Sequence, residues 1–190
     1  MRQTCFIILW TFFTSDWQIE FTDMYLNSKE NIICFLPTGG GKTLVSQLAL
    51  LNELLNIKLN VLLVLPYVAL AKEKIRKFTP FALDYNFLIE EYAGGKGVIP
   101  PKKRVKQKSL YIGTIEKSSM LIHSLIETNR LSEIGLVIFD EVILNSIVIL
   151  PSYYYMCNSK GNFSGLGRHC AQAAQRCDLC DAMHDLHIWL

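Results

Sequence analysis

Residues 31–47, NIICFLPTGGGKTLVSQ, decide the fold expected for this chain. The apolar run 31–36 is typical of a fully buried strand. Three glycines then lead directly into Lys42 and Thr43, and the residues that follow have helical spacing. A strand, a glycine-rich turn and a helix form a phosphate cradle, because glycine lets backbone N–H groups approach the phosphates and the helix N-terminus adds positive potential. The stretch therefore predicts a nucleotide-binding domain.

The residues of this turn have distinct expected roles. Lys42 would reach the β- and γ-phosphates, and the Thr43 hydroxyl would ligate Mg²⁺. The general pattern G-x-x-x-x-G-K-[ST] places a glycine where this chain has Leu36, which argues against the loop of a GTPase or a small kinase. The form P-T-G-G-G-K-T is instead the variant used by helicases and translocases. The alternative is a plain glycine turn in front of a helix.

Apolar runs and helical spacing alternate along the rest of the chain. Further strands are predicted at 61–65, 87–93, 109–113 and 135–139, and helices at 42–56, 68–78 and 115–128. The basic residues of the second of these helices are expected on its solvent side: Lys72, Lys74, Arg76 and Lys77. Continuous apolar strands joined by helices imply an α/β fold with a mostly parallel sheet that is covered on both faces.

Two adjacent carboxylates, Asp140 and Glu141, follow the strand 135–139. Ligands of open α/β sheets bind at the carboxyl ends of the strands, so this pair is expected to complete the nucleotide site. Asp140 would hold Mg²⁺, through water, and Glu141 would accept a proton from the attacking water. The alternative is a solvated acidic strand end.

Length and composition set the outer limits. The 190 residues are 51% hydrophobic with a net charge of +2, which indicates one globular domain and says little about partners. Six scattered cysteines favour a reducing compartment. The apolar run 5–13 is either the core of a signal peptide or a buried segment, and no apolar run reaches the 18 or so residues that span a membrane. Residues 142–190 lack a clear period and are predicted to be an irregular tail.

Taken together, these motifs resemble the superfamily-2 DNA helicases, and within them the DNA polymerase theta-like helicases. SDWQ (15–18) is similar to the family's upstream glutamine element, LPYVALAKEK (65–74) to the next helicase motif, EEYAGGKG (90–97) and SLYIGTIEKSSMLIHSLIE (109–127) to the two after it, and GLVIFDE (135–141) to the start of the DExH box. The resemblance covers residues 15–141, which leaves an N-terminal segment (1–14) and the tail (142–190) outside it.

The resemblance implies a three-layer, RecA-like P-loop NTPase lobe of an ATP-driven enzyme that moves on single-stranded or forked DNA in the nucleus, in DNA repair. Its cofactors would be ATP and Mg²⁺, with Gln18 reading the adenine and the loop residues Thr38, Gly39, Gly40, Gly41, Lys42 and Thr43 binding the nucleotide. Lys42 and Glu141 would be catalytic, and Thr43 and Asp140 would serve the metal. The DNA strand would be contacted by two stretches: Pro66, Tyr67 and Val68, and Thr114, Ile115 and Glu116.

Two departures from the family qualify this expectation. The box reads Asp140, Glu141, Val142, Ile143, so the final histidine of D-E-x-H is missing. A second RecA-like lobe and its arginine finger do not follow in these 190 residues, and that arginine is worth about 10³ to 10⁵ in rate. The chain alone is therefore expected to hydrolyse ATP poorly and to unwind nothing, as a truncated product would.

Two further segments leave alternatives open. Six basic residues fall within 96–108, and this loop could contact DNA phosphates, act as a nuclear address, or simply be solvated.

The tail residues Cys170, Cys177, Cys180, His184 and His187 form half of a zinc pattern at best, because their spacing is too tight for known fingers. An unstructured tail is the competing interpretation.

Three functions compete at this point: a helicase-type ATPase lobe, a non-catalytic fragment that binds ATP or nucleic acid without turnover, and another P-loop enzyme such as a nucleotide kinase. Leu36 and the DNA-contact-like stretches argue against the third.

Overall fold

The structure, a computed structural model, describes residues 16–27, residues 41–140 and the backbone of residues 187–189. The predicted strand 31–36, most of the glycine loop and nearly all of the predicted tail lie outside these residues.

A parallel sheet forms the centre of the described part. Its strands have the spatial order β2-β3-β1-β4-β5, and every neighbouring pair runs parallel. Parallel order requires a crossover between consecutive strands, and an α-helix lies in two of the three crossovers that the structure describes. The predicted α/β fold with a parallel sheet is thus confirmed. The strands are β1 (Asn60–Leu65), β2 (Leu88–Tyr92), β3 (Ser109–Thr114), β4 (Ile134–Phe139) and a short β5 (His187–Trp189).

Four α-helices accompany the sheet within the described ranges. Each begins within one residue of its predicted start where a start was predicted, because turn chemistry and the apolar period mark these positions clearly. The helices are α1 (Asp16–Asn27), α2 (Lys42–Asn52), α3 (Val68–Tyr85) and α4 (Ile115–Glu127). A π-helical turn (Glu53–Ile57) continues α2, and a short 3₁₀ turn (Leu131–Glu133) precedes β4.

The core has two halves, one on each face of the sheet. Along β1, Val61, Leu63 and Leu65 pack against α1, α2 and α3, and all three are at most 2% exposed. The intervening Leu62 and Val64 face α4 and are fully buried. Because both faces are covered, β1 needs apolar residues at every position, which is why its sequence lacks the alternation of a half-exposed strand. The result is the expected three-layer arrangement.

Two helices differ from their predicted bounds. The predicted helix 68–78 continues through Pro80 to Tyr85, and it ends where Asn86 adopts a left-handed conformation with φ 57°. Asn86 donates its backbone N–H to the Ala82 carbonyl, which caps the helix. The predicted helix 42–56 changes into the wider π-helical turn at Glu53, and Lys58 closes that turn with φ 63°. Neither change has a local sequence signal, since both depend on packing.

None of the helices in the described ranges combines the length and the apolar character that crossing a bilayer requires.

The amino end of β4 contains a position that only glycine fits. Gly135 is the extra residue where the β1–β4 register shifts, so the strand bulges there. A Cβ added to Gly135 would lie 2.6 Å from Glu53 Oε2 and 2.8 Å from Leu59 Cβ. Both neighbours belong to the segment that joins α2 to β1, so the bulge holds this connection against the sheet.

Gly135→Ala is therefore expected to lower the free energy of unfolding by about 1–3 kcal/mol, the usual cost of overpacking a closed site. Gly95→Ala is the matched control, because a Cβ there would meet no atom within 4 Å. Urea denaturation of both variants measures the difference. Equal midpoints for the two variants would contradict the close packing at Gly135.

Candidate functional site

The carboxyl ends of three strands meet at one edge of the sheet. Leu65 of β1 pairs with Thr114 of β3, and Val64 pairs with Phe139 of β4. Asp140 continues this pairing by donating its backbone N–H to the Val64 carbonyl at 3.0 Å. This register places the loops after β1, β3 and β4 side by side, at the edge where open α/β sheets bind their ligands.

Gly41 and Gln18 lie in direct contact. Gly41 has φ +84°, a left-handed conformation that favours glycine, and it immediately precedes α2. A Cβ at this position would lie 2.3 Å from Gln18 Nε2 and 3.7 Å from Trp17 Cζ2. Gln18 itself is 2% exposed, so its amide is held between α1 and the end of the glycine loop. The structure thus brings together two residues that were predicted from separate motifs.

Lys42 and Thr43 form the first turn of α2. The N–H groups of a first helical turn have no intrahelical acceptor, and they create positive potential at the helix start. Thr43 is exposed and Lys42 is half-buried. The Thr43 carbonyl accepts a hydrogen bond from Ser46 Oγ at 2.9 Å. The Thr43 side chain lies at the surface of the helix start. This is the geometry that an anion-binding helix N-terminus needs.

A small cavity joins this helix start to the end of β4. Its volume is about 10 Å³, which is room for about one water molecule. Thr43 and Asp140, the two predicted magnesium residues, both line it, whereas Lys42 does not. The other lining residues are partly polar and partly apolar: Ser46, Gln47, Leu50, Leu63, Lys74, Phe78 and Ile138.

Lys74 is the main residue that the sequence interpretation placed wrongly. Its Nζ lies 2.5 Å from Asp140 Oδ2, and the two side chains are 6% and 18% exposed. The predicted solvent position holds for Lys72, Arg76 and Lys77, which are exposed, but it is wrong for Lys74.

The reason lies in the helical period. Lys74 follows Ala71 by three residues and precedes Phe78 by four, and both neighbours are at most 2% exposed. The Lys74 stem therefore shares the core-facing stripe of α3, while its ammonium group reaches past the stripe to the carboxylate. The spacing of Ala71, Lys74 and Phe78 was a signal that could have identified it.

The two predicted nucleic-acid stretches also lie together. Pro66, Tyr67 and Val68 follow β1 and begin α3, and Thr114, Ile115 and Glu116 follow the neighbouring β3 and begin α4.

Their side chains differ in access. Tyr67 is 60% exposed and Glu116 is exposed, whereas Thr114 and Ile115 are 7% and 6% exposed. Because the Ile115 side chain belongs to the core beneath α4, only its backbone faces the edge of the sheet. The accessible groups are thus the Tyr67 ring, the Glu116 carboxylate and two adjacent helix starts. The ring and the backbone N–H groups of the helix starts suit contacts to sugar and phosphate.

Two of the six basic side chains in the loop 96–108 form ion pairs within the domain. Lys96 pairs with Glu91 at 2.7 Å, and Arg104 pairs with Glu90 at 3.2 Å. Lys108 lies at the amino ends of β2 and β3, where its carbonyl accepts the Leu88 N–H.

Arg130 anchors the middle of this loop. Its Nη1 donates to the Pro101 carbonyl at 2.7 Å, while Nε and Nη2 each lie 2.9 Å from the Glu133 carboxylate. The hydrogen bond from Arg130 holds the pKa of Glu133 below its ordinary value, and the nearby Lys103 and Lys108 add to this shift. Since Glu133 directly precedes β4, Lys103 and Lys108 lie toward the amino ends of the strands, away from the edge that carries Asp140 and Tyr67. The DNA-contact interpretation of this loop stays a prediction, as does the nuclear address.

Several predicted residues lie outside the described part of the chain: Thr38, Gly39, Gly40, Glu141 and the tail cysteines and histidine of the zinc pattern up to His184.

Comparisons with known proteins agree with these observations. The sequence model of a family described as "DEAD/DEAH box helicase" matches residues 15–143. The chain is 50% identical over 130 residues to "Helicase POLQ-like" of Homo sapiens, an alignment that covers 67% of this chain and 12% of that protein. It is 32% identical over 133 residues to "DNA polymerase theta" of Drosophila melanogaster, covering 69% and 6%.

An archaeal protein extends the similarity. The chain is 31% identical over 115 residues to "ATP-dependent DNA helicase Hel308" of Pyrococcus abyssi, which covers 60% of this chain and 15% of that protein. The matched segments thus span only 6% to 15% of the length of these relatives. The resemblance noted from the motifs is confirmed.

The Lys74–Asp140 pair yields a prediction on stability. Lys74→Met keeps the apolar stem but leaves Asp140 without its cation, so the free energy of unfolding should fall by about 1–3 kcal/mol, less than for a fully buried pair because Asp140 is partly exposed. Lys72→Met, on the exposed side of the same helix, should change it by less than about 0.5 kcal/mol.

A double-mutant cycle isolates the free energy contributed by the interaction between Lys74 and Asp140. Adding Asp140→Asn to Lys74→Met should recover part of the loss, because the uncompensated carboxylate is removed. Strictly additive effects of the two substitutions in urea denaturation would show that the pair contributes nothing.

Proposed function

The chain belongs to the DEAD/DEAH box helicase family, and on that premise we propose that it is the ATP-binding, RecA-like lobe of an ATP-dependent helicase that acts on single-stranded DNA. The observation that carries the proposal is the shared cavity of Thr43 and Asp140, two residues 97 positions apart that were expected to serve one metal. The contact between Gly41 and Gln18 supports it independently.

The residues present fit a nucleotide with its metal. A threonine hydroxyl and a carboxylate are the oxygen ligands that Mg²⁺ prefers, and this ion is usually held by one or two carboxylates together with substrate phosphates. Bound Mg²⁺ would neutralise charge on the phosphate oxygens. Thr43 and Asp140 are the residues proposed to hold it.

The remaining steps fall to the chain's own groups. Lys42 and the N–H groups at the start of α2 are proposed to bind and orient the phosphates, and Gln18 to select the base. Glu141, which follows Asp140 in the sequence, is proposed to accept a proton from the attacking water. We propose that fast turnover also needs an arginine from a second lobe, as in other P-loop enzymes where it adds about 10³ to 10⁵ in rate.

The nucleic acid is proposed to lie across the starts of α3 and α4. Tyr67 offers an exposed aromatic face on which a base can stack, and stacking of this kind tolerates any sequence. Backbone N–H groups at the two helix starts suit phosphate oxygens. DNA repair as the setting and the nucleus as the location rest on the resemblance to DNA polymerase theta-like helicases alone.

Lys42→Ala tests the nucleotide site. Binding of a fluorescent ATP analogue to the 190-residue chain, with Mg²⁺, should weaken at least about tenfold, because a charge-assisted contact to phosphate is lost. Lys72→Ala removes the same charge from the exposed side of α3 and should bind like the unaltered chain. Absence of saturable binding by the unaltered chain would contradict the proposal.

One added measurement separates the catalytic lobe from a non-catalytic binding fragment. ATP hydrolysis is measured with and without single-stranded DNA, for the unaltered chain and for Lys42→Ala. DNA-stimulated turnover that is lost in the variant favours the catalytic lobe, whereas ATP binding without turnover favours the fragment.

Tyr67→Ala tests the nucleic-acid surface. Fluorescence anisotropy with a labelled single-stranded oligonucleotide of mixed sequence should show at least about fivefold weaker binding, the usual effect of losing one stacked base. Tyr85→Ala is the matched control, because Tyr85 is also exposed but lies at the opposite end of α3. If both variants bind DNA equally well, the surface lies elsewhere.

A further inference from the structure

Helix α1 buries one narrow face. Gln18, Phe21, Thr22 and Tyr25 are each at most 8% exposed, and their spacing of three, four and seven residues places them on the same side of the helix. Gln18 and Tyr25 are the polar ends of this face, about 10 Å apart along the helix axis. Each of these two buried polar side chains therefore needs a hydrogen-bonding partner in the protein interior.

The two ends contact the two ends of α2. At one end, the Gln18 amide lies against Gly41, the residue before α2 begins. At the other end, the Tyr25 hydroxyl donates a hydrogen bond of 2.8 Å to Glu53 Oε1, and Glu53 is the residue after α2 ends. Helices α1 and α2 therefore run in the same general direction and are joined at both ends.

Stability alone does not explain a carboxyl at position 53. Glu53 is 2% exposed, and its Oε2 has no hydrogen-bond partner among the described residues. Burial raises the pKa of Glu53 above its ordinary value, and burial together with the neighbouring Glu53 raises the pKa of Tyr25. A buried carboxyl whose second oxygen is unpaired costs free energy that an apolar group would not. The hydrogen bond between Tyr25 and Glu53 is better explained by the way it fixes the position of α1.

We propose that the Tyr25–Glu53 hydrogen bond positions Gln18 for selection of the nucleotide base, so that Tyr25 and Glu53 are positioning residues for the preference for adenine. This inference rests on the proposed function, in which Gln18 contacts the base. The Gln18 amide can accept from the adenine N6 amino group and donate to N7, whereas the O6 of guanine faces the amide oxygen with a second acceptor. Such discrimination requires a fixed amide, and α1 carries that amide.

The rotation of α1 about its own axis determines where the Gln18 amide lies. The face between Gln18 and Tyr25 is held by apolar contacts of Phe21, which resist separation of the helices but are not directional. A directional hydrogen bond at Tyr25, two turns from Gln18, fixes the rotation of the helix about its own axis. Loss of this hydrogen bond would let α1 rotate and shift the Gln18 amide from its position beside Gly41.

The test compares dissociation constants for ATP and GTP, with Mg²⁺, measured by competition on the full 190-residue chain. The unaltered chain should prefer ATP, and Gln18→Ala should abolish this preference. Tyr25→Phe should reduce the ratio of the GTP to the ATP constant about fivefold, the equivalent of one hydrogen bond. The GTP constant should change less than twofold, because the phosphate contacts remain.

Two substitutions at Glu53 separate positioning from general damage. Glu53→Gln keeps an oxygen that accepts from Tyr25, so the preference for ATP should be retained. Glu53→Leu removes the acceptor and should reduce the preference in the same direction as Tyr25→Phe but by less, because Tyr25 keeps its hydrogen bond with Asn52. Tyr85→Phe, the same loss of one hydroxyl at an exposed site, is the matched control, and melting temperatures show which variants are folded.

The outcomes distinguish the two claims. If the unaltered chain prefers ATP, Gln18→Ala loses the preference and both Tyr25→Phe and Glu53→Leu keep it, the positioning inference is overturned and the proposed function stands. Equal loss in Glu53→Gln and Glu53→Leu would also overturn it. If the chain binds neither nucleotide, or binds both equally, the proposed base contact of Gln18 fails and the inference fails with it.

Discussion

The parallel hydrogen bonding of β1 to β3 on one side and to β4 on the other determines where every candidate functional group lies. This register ends three strands at the same level, so that Pro66, Thr114 and Asp140 leave the sheet together. The helices that begin there present their N-termini at the same edge, and the positive potential of these N-termini adds up at one place. Without this alignment, neither the cavity beside Thr43 nor the Tyr67 surface would exist.

Burial on both faces does not by itself hold the register of β1. A shift of β1 by one residue would move Leu62 and Val64 to the side of α1, α2 and α3, and would push Val61, Leu63 and Leu65 toward α4. Both sets are apolar, so composition alone does not forbid the shift. The bulge at Gly135 forbids the shift. Only glycine fits at this point of the strand, because Glu53 and Leu59 lie within 3 Å of where a Cβ would be.

The sequence predicted the features that depend on local pattern. Strands β1, β3 and β4, the starts of α2, α3 and α4, and the parallel sheet follow from apolar runs and helix starts, and the glycine turn indicated the nucleotide site. What it missed depends on contacts between distant segments. Lys74 was placed in solvent because its charge was given more weight than its position in the helical period. No local pattern marks the continuation of α3 through Pro80, after which Ala82 packs against the core cluster that contains Phe87. The Tyr25–Glu53 bond joins residues 28 apart, which no local pattern could pair.

Helix α3 holds Tyr67 at its start and Lys74 two turns further on, so one unbroken ladder of backbone hydrogen bonds runs between the exposed Tyr67 ring and the cation that contacts Asp140. An α-helix of this length behaves as a stiff rod with a rise of about 1.5 Å per residue. Any axial slide of α3 therefore displaces both side chains by the same amount. A force that moved the Tyr67 ring by about 1 Å along the helix axis would change the distance between Lys74 and Asp140 by a comparable amount.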